Sequence, residues 1–420
     1  MKFLGLCLFG LIMLFGVTAC RRNEVELSFA WWGDDTRTVQ TNHVLSLFID
    51  YHRDVTAVRR FPRTYSSHIS HLLDLHVLDL PDIMQLDFDM LMEFTASGML
   101  LDLSQYISDG RIDVSNLPTT AVNEGMIGTG IFGIPISMDS AVLAYNETLI
   151  NELGLNVPSN MNLEQFMNIG REVYERRGIR TNWAFGDPLV QLEVHLRARG
   201  ARLFNDNRLG GINDDYAEFF RVIATGITEG WHVRPEHIEG RFGWAQNPMW
   251  YPLANPNMRT WNSPIWSSIA ADYVNMAPGG ISIALTEYPT NNAPAAGLSR
   301  GVIFLGISAA SLHTSEAADF INFWINSLEV YEIVLYERGA IINSGIRNEI
   351  SRDLLDPAAR LQSDFINGLG DYIYFRGASP QNINEIRTLL LEYINDVVIG
   401  ILTPEQAAVG FINSANNILD

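Results

Sequence analysis

Tryptophans in loop-forming surroundings are the residues of this chain best suited to hold a small molecule. Most of the nine tryptophans lie in two stretches, beside Gly, Pro, Asn or Asp residues typical of loops: Trp31, Trp32, Trp231, Trp244, Trp250, Trp261 and Trp266. An indole in a loop can stack on the apolar C–H face of a sugar. We therefore predict ligand contact for Trp32, Trp244, Trp261 and Trp266, with a partly buried structural role as the open alternative for each.

Carboxylates and amides follow predicted strands and could complete such a site. A strand over Val25–Ala30 is followed by two tryptophans, a glycine and two carboxylates, which places them at the carboxyl edge of a sheet, where open α/β sheets bind ligands. A sugar hydroxyl that donates to a charged group forms a bond worth about 1.5–3 kcal/mol. Solvated loop residues or helix caps are the alternative. The predicted polar contacts here are Asp34, Asp35, Gln85, Asp87 and Asp187.

Three histidines raise the question of a metal site. His68 and His71 are spaced i, i+3 on a helix predicted over 68–80, and His76 lies on the same segment. The helix is amphipathic, and no cysteine or nearby acidic pair completes a ligand set. We therefore expect these histidines to be structural and the protein to hold no metal.

Patterns typical of enzymes are missing from the sequence. In an extended segment the adjacent Asp34 and Asp35 point apart, whereas the two carboxylates of a glycosidase flank one bond. No Gly-x-Ser-x-Gly, His-Glu-x-x-His or glycine-rich phosphate loop occurs. Lys2 is the only lysine, which excludes Schiff-base chemistry and a P-loop lysine. We expect no catalytic residue and no cofactor, with an extracellular glycan-processing enzyme as a minority alternative.

Length, composition and charge indicate a large globular protein that avoids polyanions. The chain has 420 residues, 47% hydrophobic and 18% charged, which is enough for two to three domains with substantial cores. Its net charge of −20 would repel nucleic acid and anionic lipid, since phosphate binding needs Lys and Arg. Nucleic-acid binding is therefore not expected.

The N-terminus resembles a bacterial lipoprotein signal. Met1 and Lys2 precede an apolar segment over 3–17, too short to span a bilayer comfortably, and small residues lead to Cys20. We predict a signal peptide over 1–19, lipidation of Cys20 and a tether over 20–26. Several acyl chains, at about 0.8 kcal/mol per buried CH₂, would anchor the mature chain to a membrane face outside the cytoplasm.

The segment around 128–147 is predicted to carry the chain between two bodies. Apolar runs over 131–136 and 141–145 flank a polar step at 137–140, and a helix start follows. A hairpin and a single extended path from one sheet to another are both compatible with this pattern, and the helix start favours the path. A ligand cleft would lie beside it, so Asp139 and Tyr145 join the predicted site.

An ordered set of motifs resembles the carbohydrate-binding proteins of bacterial ABC importers, the maltose-binding-protein type. The set comprises PDIMQLD at 81–87, GMLLDLS at 98–104, FGIP at 132–135, YN at 145–146, LGLNVP at 153–158, GVIFLGISAASLHTSEAADFINF at 301–323 and TPEQAA at 403–408. The segment 180–292 departs most from the family.

The resemblance implies an α/β, two-lobed periplasmic-binding-protein fold of the type II-like class, with lobes joined by hinge crossovers. The first lobe would hold 27–136 plus 305–341, and the second 140–302 plus 345–420. The implied protein is a monomeric, lipid-anchored, extracytoplasmic receptor that closes on a carbohydrate and hands it to ABC permease subunits.

A cationic ligand is the main alternative within the same fold. Carboxylates ringed by aromatic side chains bind amines through charge and cation–π contact. The acidic pair Asp34 and Asp35 would suit a polyamine on that reading.

Overall fold

The computed structural model describes residues 24–52, 54–184, 187–205, 208–234, 247–250, 256–290, 297–370, 373–375, 380 and 382–420. The strands are β1 (Val25–Trp32), β2 (Val55–Arg63), β3 (Ile83–Leu86), β4 (Met126–Ile127), β5 (Gly130–Ile131), β6 (Ile134–Asn146), β7 (Phe204–Asn205), β8 (Arg208–Leu209), β9 (Asn262–Trp266), β10 (Ile283–Thr286), β11 (Leu298–Ile307), β12 (Ala340–Ile341) and β13 (Tyr374–Phe375).

Helices surround these strands along the whole chain. They are α1 (Asp35–Tyr51), α2 (Tyr65–Asp74), α3 (Phe88–Ala96), α4 (Ser104–Ser108), α5 (Thr119–Val122), α6 (Glu147–Glu152), α7 (Leu163–Arg177), α8 (Pro188–Ala198), α9 (Asn213–Glu229), α10 (Ala270–Met276), α11 (Thr314–Asn326), α12 (Leu328–Val334), α13 (Ser344–Glu349), α14 (Pro357–Leu369), α15 (Ile383–Val398) and α16 (Pro404–Leu419). Among the described residues, none of these helices is long and apolar enough to cross a membrane.

The main sheet has the order β10-β6-β11-β3-β1-β2 and is mixed. Strand β1 pairs in parallel with β2 and β3, as the alternation of strands and helices predicts, while β11 runs antiparallel to both β3 and β6. Because β11 is antiparallel to both of its neighbours, β6 runs in the same direction as β3 and therefore as β1. The carboxyl ends of β1, β2 and β3 therefore lie together at one edge.

Strand β6 belongs to both halves of the molecule. From Ile134 to Ser140 it pairs with β11, and from Ala141 to Asn146 it pairs with β9 and β10. The predicted extended path is confirmed, and it is a single continuous strand. The change of partner falls between Ser140 and Ala141, at the end of the predicted polar step.

Two large hydrophobic cores lie on either side of this crossover. One contains buried side chains from 25–138 and 303–375, and the other contains buried side chains from 141–298 and 386–415. A smaller cluster packs on the opposite face of each part of the sheet, so helices cover both faces. The fold is α/β and two-lobed, in agreement with the predicted class.

The chain after α13 does not follow the predicted division into lobes. Buried residues from Ile346 to Phe375 pack with the first core, whereas the prediction assigned 345–420 to the second lobe. Helix α14 also contacts α10 and β10 of the second lobe, so it lies across the junction. The physical reason is that α14 packs against β12, which pairs with β6 at Ser137 and Met138.

Candidate functional site

The carboxyl edge of β1, β2 and β3 brings an aromatic cluster together. Trp32 ends β1, and its half-buried ring lies 5.5 Å from the ring of Tyr65 at 74° and 5.3 Å from the ring of His68. Tyr65 begins α2 directly after β2 and is 49% exposed. The tight turn from β2 into α2 is what carries Tyr65 and His68 back over the edge of β1.

Buried hydrogen-bond acceptors without partners lie beneath this cluster. Nε2 of His68 lies 2.9 Å from the carbonyl oxygen of Gln85, and since a carbonyl can only accept, Nε2 carries the proton. Nδ1 of His68 is then an acceptor, and it is buried with no hydrogen-bond partner, as is Oε1 of Gln85. Burial lowers the pKa of His68 to about 4, so the ring is neutral at neutral pH.

Two predicted carboxylates of this edge are helix caps, the alternative left open by the sequence. Asp34 accepts from the backbone N–H of Arg37 at 2.9 Å and begins α1, with exposed Asp35 in its first turn. Asp87 accepts from the backbone N–H of Met90 at 2.8 Å and begins α3. Both carboxylates stabilise helix N-termini.

Asp87 also anchors the aromatic cluster. The hydroxyl of Tyr65 donates to Oδ2 of Asp87. Burial and this hydrogen bond raise the pKa of Tyr65, so its phenol stays protonated. Asp87 therefore orients Tyr65 beside Trp32.

A second group of polar residues lies at the crossover, where the β6–β11 ladder meets the turn after β9. Asp139 is completely buried and accepts from Ser267 Oγ at 2.8 Å, Ser268 N at 2.8 Å and Ser268 Oγ at 2.7 Å. Arg300 lies opposite Asp139 in the β6–β11 ladder, with its Nη2 3.5 Å from the Asp139 carboxylate. Its guanidinium carbon lies 3.9 Å from the centre of the Trp266 ring.

The second group lies beyond the first in the strand direction. Leu86, at the carboxyl end of β3, pairs with Phe304, and Phe304 pairs with Pro135. At about 3.3 Å per residue, Ser140 lies about 16 Å further along β6, which enters the second lobe there. The carboxyl edge that carries Trp32 therefore lies toward the second lobe.

The remaining predicted residues lie in the second lobe, and Trp261 is not at its surface. Trp261 is fully buried, its Nε1 donates to Thr181 Oγ1 at 2.9 Å, and its ring packs 5.9 Å from that of Phe166. Because Trp261 lies in a core, it has no exposed surface that a ligand could contact in this structure. It is therefore not part of the site. Half-buried Tyr145 packs 6.4 Å from it.

Two further predicted positions complete the account. Asp187 accepts from Nε of Arg387 at 3.2 Å, an ion pair between the start of α8 and helix α15. Trp244 and Cys20 lie outside the described residues. The structure thus groups Trp32, Gln85 and Asp87 at one edge and Asp139 with Trp266 at the crossover, and it keeps Asp187 apart from both.

Sequence reasoning missed Tyr65, Arg63 and Arg300, and placed His76 incorrectly. Arg63 and Tyr65 flank the end of β2, the same strand-end signal that drew attention to Asp34. Arg300 had no local signal, because its neighbour across the ladder is Asp139, far away in sequence. Helix α2 ends at Asp74, so His76 is not on the helix predicted over 68–80; Leu75 is already extended.

Comparison with solved structures identifies the fold. No protein-family model matches the chain. It is similar to an extracellular solute-binding protein family 1 member from Alicyclobacillus acidocaldarius subsp. acidocaldarius DSM 446 (20% identity, TM-score 0.76, 94% of this chain and 98% of that one). It is also similar to a periplasmic oligogalacturonide binding protein from Yersinia enterocolitica (19%, TM-score 0.76, 94% and 99%).

The chain has the fold of the extracellular solute-binding proteins. A de novo designed cysteine esterase is a further match to this solute-binding fold, at 20% identity, a TM-score of 0.80 and coverage of 94% and 98%. At such identities the likeness establishes the architecture. Which ligand the protein binds depends on the side chains of this chain.

Replacing Trp261 by Ala is expected to destabilise the second lobe by about 3–5 kcal/mol, because it removes a fully buried indole and leaves Thr181 without its donor. Urea denaturation at pH 7.5 measures the effect. Trp32→Ala, at a half-buried position, is the matched control and should cost clearly less. Equal losses for the two variants would contradict the placement of Trp261 in the core.

Acid is expected to destabilise the fold through buried neutral histidines. Burial lowers the pKa of His68, His195 and His232 to about 4 each, below the value of about 6.5 in an unfolded chain. The folded state thus binds fewer protons, and its stability is complete above about pH 6.5 and falls as the pH drops toward 4.

The expected slope is about 1.4 kcal/mol per pH unit for each histidine, measured as the free energy of unfolding between pH 7.5 and pH 4.5. His68→Gln removes one titrating group. It should reduce the slope of the unfolding free energy against pH by about 1.4 kcal/mol per pH unit, which corresponds to one proton. An unchanged slope in that variant would show that His68 is protonated in the folded state.

Proposed function

We propose that this protein is an extracytoplasmic solute receptor that captures a carbohydrate between its lobes and delivers it to an ABC permease. One observation carries the proposal. The edge that lies toward the second lobe presents the half-buried Trp32 and the exposed Tyr65 above two buried acceptors, Nδ1 of His68 and Oε1 of Gln85, that lack hydrogen-bond partners among the described residues. An apolar aromatic face beside unused acceptors suits a ring with C–H faces and donor hydroxyls.

The position between lobes supports a binding rather than a catalytic role. A ligand that contacts both lobes stabilises the closed form, and the permease would select that form. Moving the closed form from 1% to 99% needs about 5.5 kcal/mol of preference, so contacts on both walls are required. Trp32 offers one wall, and the group around Asp139 and Arg300 offers the other.

The structure gives less support to the alternatives. Of the acidic pair that a polyamine would need, Asp34 caps α1 and Asp35 lies in the first turn of the same helix. The designed neighbour is described as a cysteine esterase, whereas the only cysteines of this chain are Cys7 and Cys20, both within or beside the predicted signal peptide. We therefore include neither amine binding nor esterase chemistry in the proposal.

The membrane anchor is part of the proposal and has its own test. Cys20→Ala should move the protein from the membrane fraction to the soluble extracytoplasmic fraction, because the acyl chains can no longer be attached. Cys7→Ala is the matched control and should stay with the membrane, since Cys7 is removed with the signal. A soluble wild-type protein, or a membrane-bound Cys20→Ala variant, would contradict the anchor.

Trp32→Ala and Tyr65→Ala are expected to weaken carbohydrate binding about tenfold or more, because each removes part of the stacking surface. The ligand is first found by thermal-shift screening of the mature chain against mono- and oligosaccharides, including uronates, and amines. Calorimetry then gives the affinities of the variants.

Tyr51→Ala is the matched control, since Tyr51 is 63% exposed on the same lobe but lies at the far end of α1, about 25 Å from the strand edge. It should bind like the wild type. A response to amines alone, or full affinity in Trp32→Ala, would contradict the proposal.

A further inference from the structure

Three carboxylates around the proposed site already have partners. Asp34 and Asp87 cap helices, and Asp139 accepts three hydrogen bonds from Ser267 and Ser268. A cationic ligand would have to displace these contacts. These three carboxylates therefore serve the fold.

Arg300 differs from these carboxylates because its side chain has no hydrogen bond within the described part of the chain. Its side chain is 40% exposed, and its Nε is buried with no partner. Its nearest carboxylate is that of Asp139, 3.5 Å from Nη2, and the Asp139 oxygens are already filled by shorter bonds. The electrostatic attraction to Asp139 holds the guanidinium in place without a hydrogen bond from its N–H groups.

Trp266 explains why Arg300 stays in this position. The guanidinium carbon lies 3.9 Å from the centre of the indole, a cation–π contact that restrains the position of the donors. A sugar ring cannot stack on that face of Trp266 while Arg300 covers it. Trp266 thus supports the arginine, rather than serving as the stacking surface that the sequence suggested.

Arg63 is a second arginine with unused donors, at the opposite wall. It lies next to Trp32 in the β1–β2 ladder, it is half-buried, and its Nε is buried without a hydrogen-bond partner among the described residues. Both the Trp32 edge and the crossover therefore offer an arginine with a free donor, while Asp34, Asp87 and Asp139 already have partners.

We propose that the carbohydrate is an acidic one, with its carboxylates bound by Arg300 at the crossover and by Arg63 beside Trp32. This inference rests on the proposed function and makes it more specific. A guanidinium matches a carboxylate with two parallel N–H···O bonds, which gives both charge and orientation. An acidic saccharide of two or more rings could place one ring on Trp32 and a carboxylate at each wall.

Digalacturonate and its dimethyl ester test the proposal by calorimetry on the mature protein. The two probes share size and linkage and differ in charge, so wild type should bind the acid about tenfold tighter or more. Arg300→Gln should lose about 10- to 100-fold of the affinity for the acid and keep its affinity for the ester within about twofold. Arg300→Lys should recover part of the lost affinity, because lysine keeps the positive charge but lacks the paired N–H donors of the guanidinium.

Arg59→Gln is the matched control, since Arg59 lies on the same strand as Arg63 and is 62% exposed beside Glu26. It should change neither affinity. Thermal unfolding of each variant reports whether it folds. If Arg300→Gln weakens both probes equally, or leaves the acid unaffected, Arg300 has a structural role and the inference is overturned.

The same measurements separate this inference from the proposed function. A protein that binds neutral saccharides of the thermal-shift panel but no uronate keeps the proposed function and overturns the acidic ligand. A protein that binds neither class overturns both.

Discussion

The pairing of one strand with partners in both lobes is the constraint on which the rest of the structure depends. Strand β6 joins β11 in the first lobe and β9 and β10 in the second without interruption. Because the strand is unbroken, one stretch of backbone positions residues of both lobes relative to each other at the crossover.

The crossover is held by a buried charge whose partners are neutral donors. Asp139 takes its three short hydrogen bonds from the turn after β9, which ties β6 to the second lobe at the point where it changes partners. These hydrogen bonds offset the cost of burying the carboxylate. Next to it, Arg300 retains unused donors, and the acidic composition of the chain as a whole therefore says little about the charge of its ligand.

Local patterns predicted the architecture well and the roles of side chains only partly. The parallel strands, the crossover at 137–140 and the strand-end position of Trp32 follow from periodicity and turn residues. The prediction that Trp261 lies in a loop was wrong. Its neighbours Asn262 and Pro264 are typical of loops, but here they lie in β9, which pairs with β6. Arg300 and Asp139 meet through a ladder that sequence spacing cannot show.

The same topology dictates an order of folding. The antiparallel neighbour of β3 is β11, and the pair Leu86 and Phe304 is separated by more than 200 residues of chain. As the polypeptide is synthesised, β3 therefore has an open edge until β11 has followed. Closing such a long loop is entropically costly and slow. Chaperone binding would be most valuable in that interval, when the half-built sheet could pair with another copy.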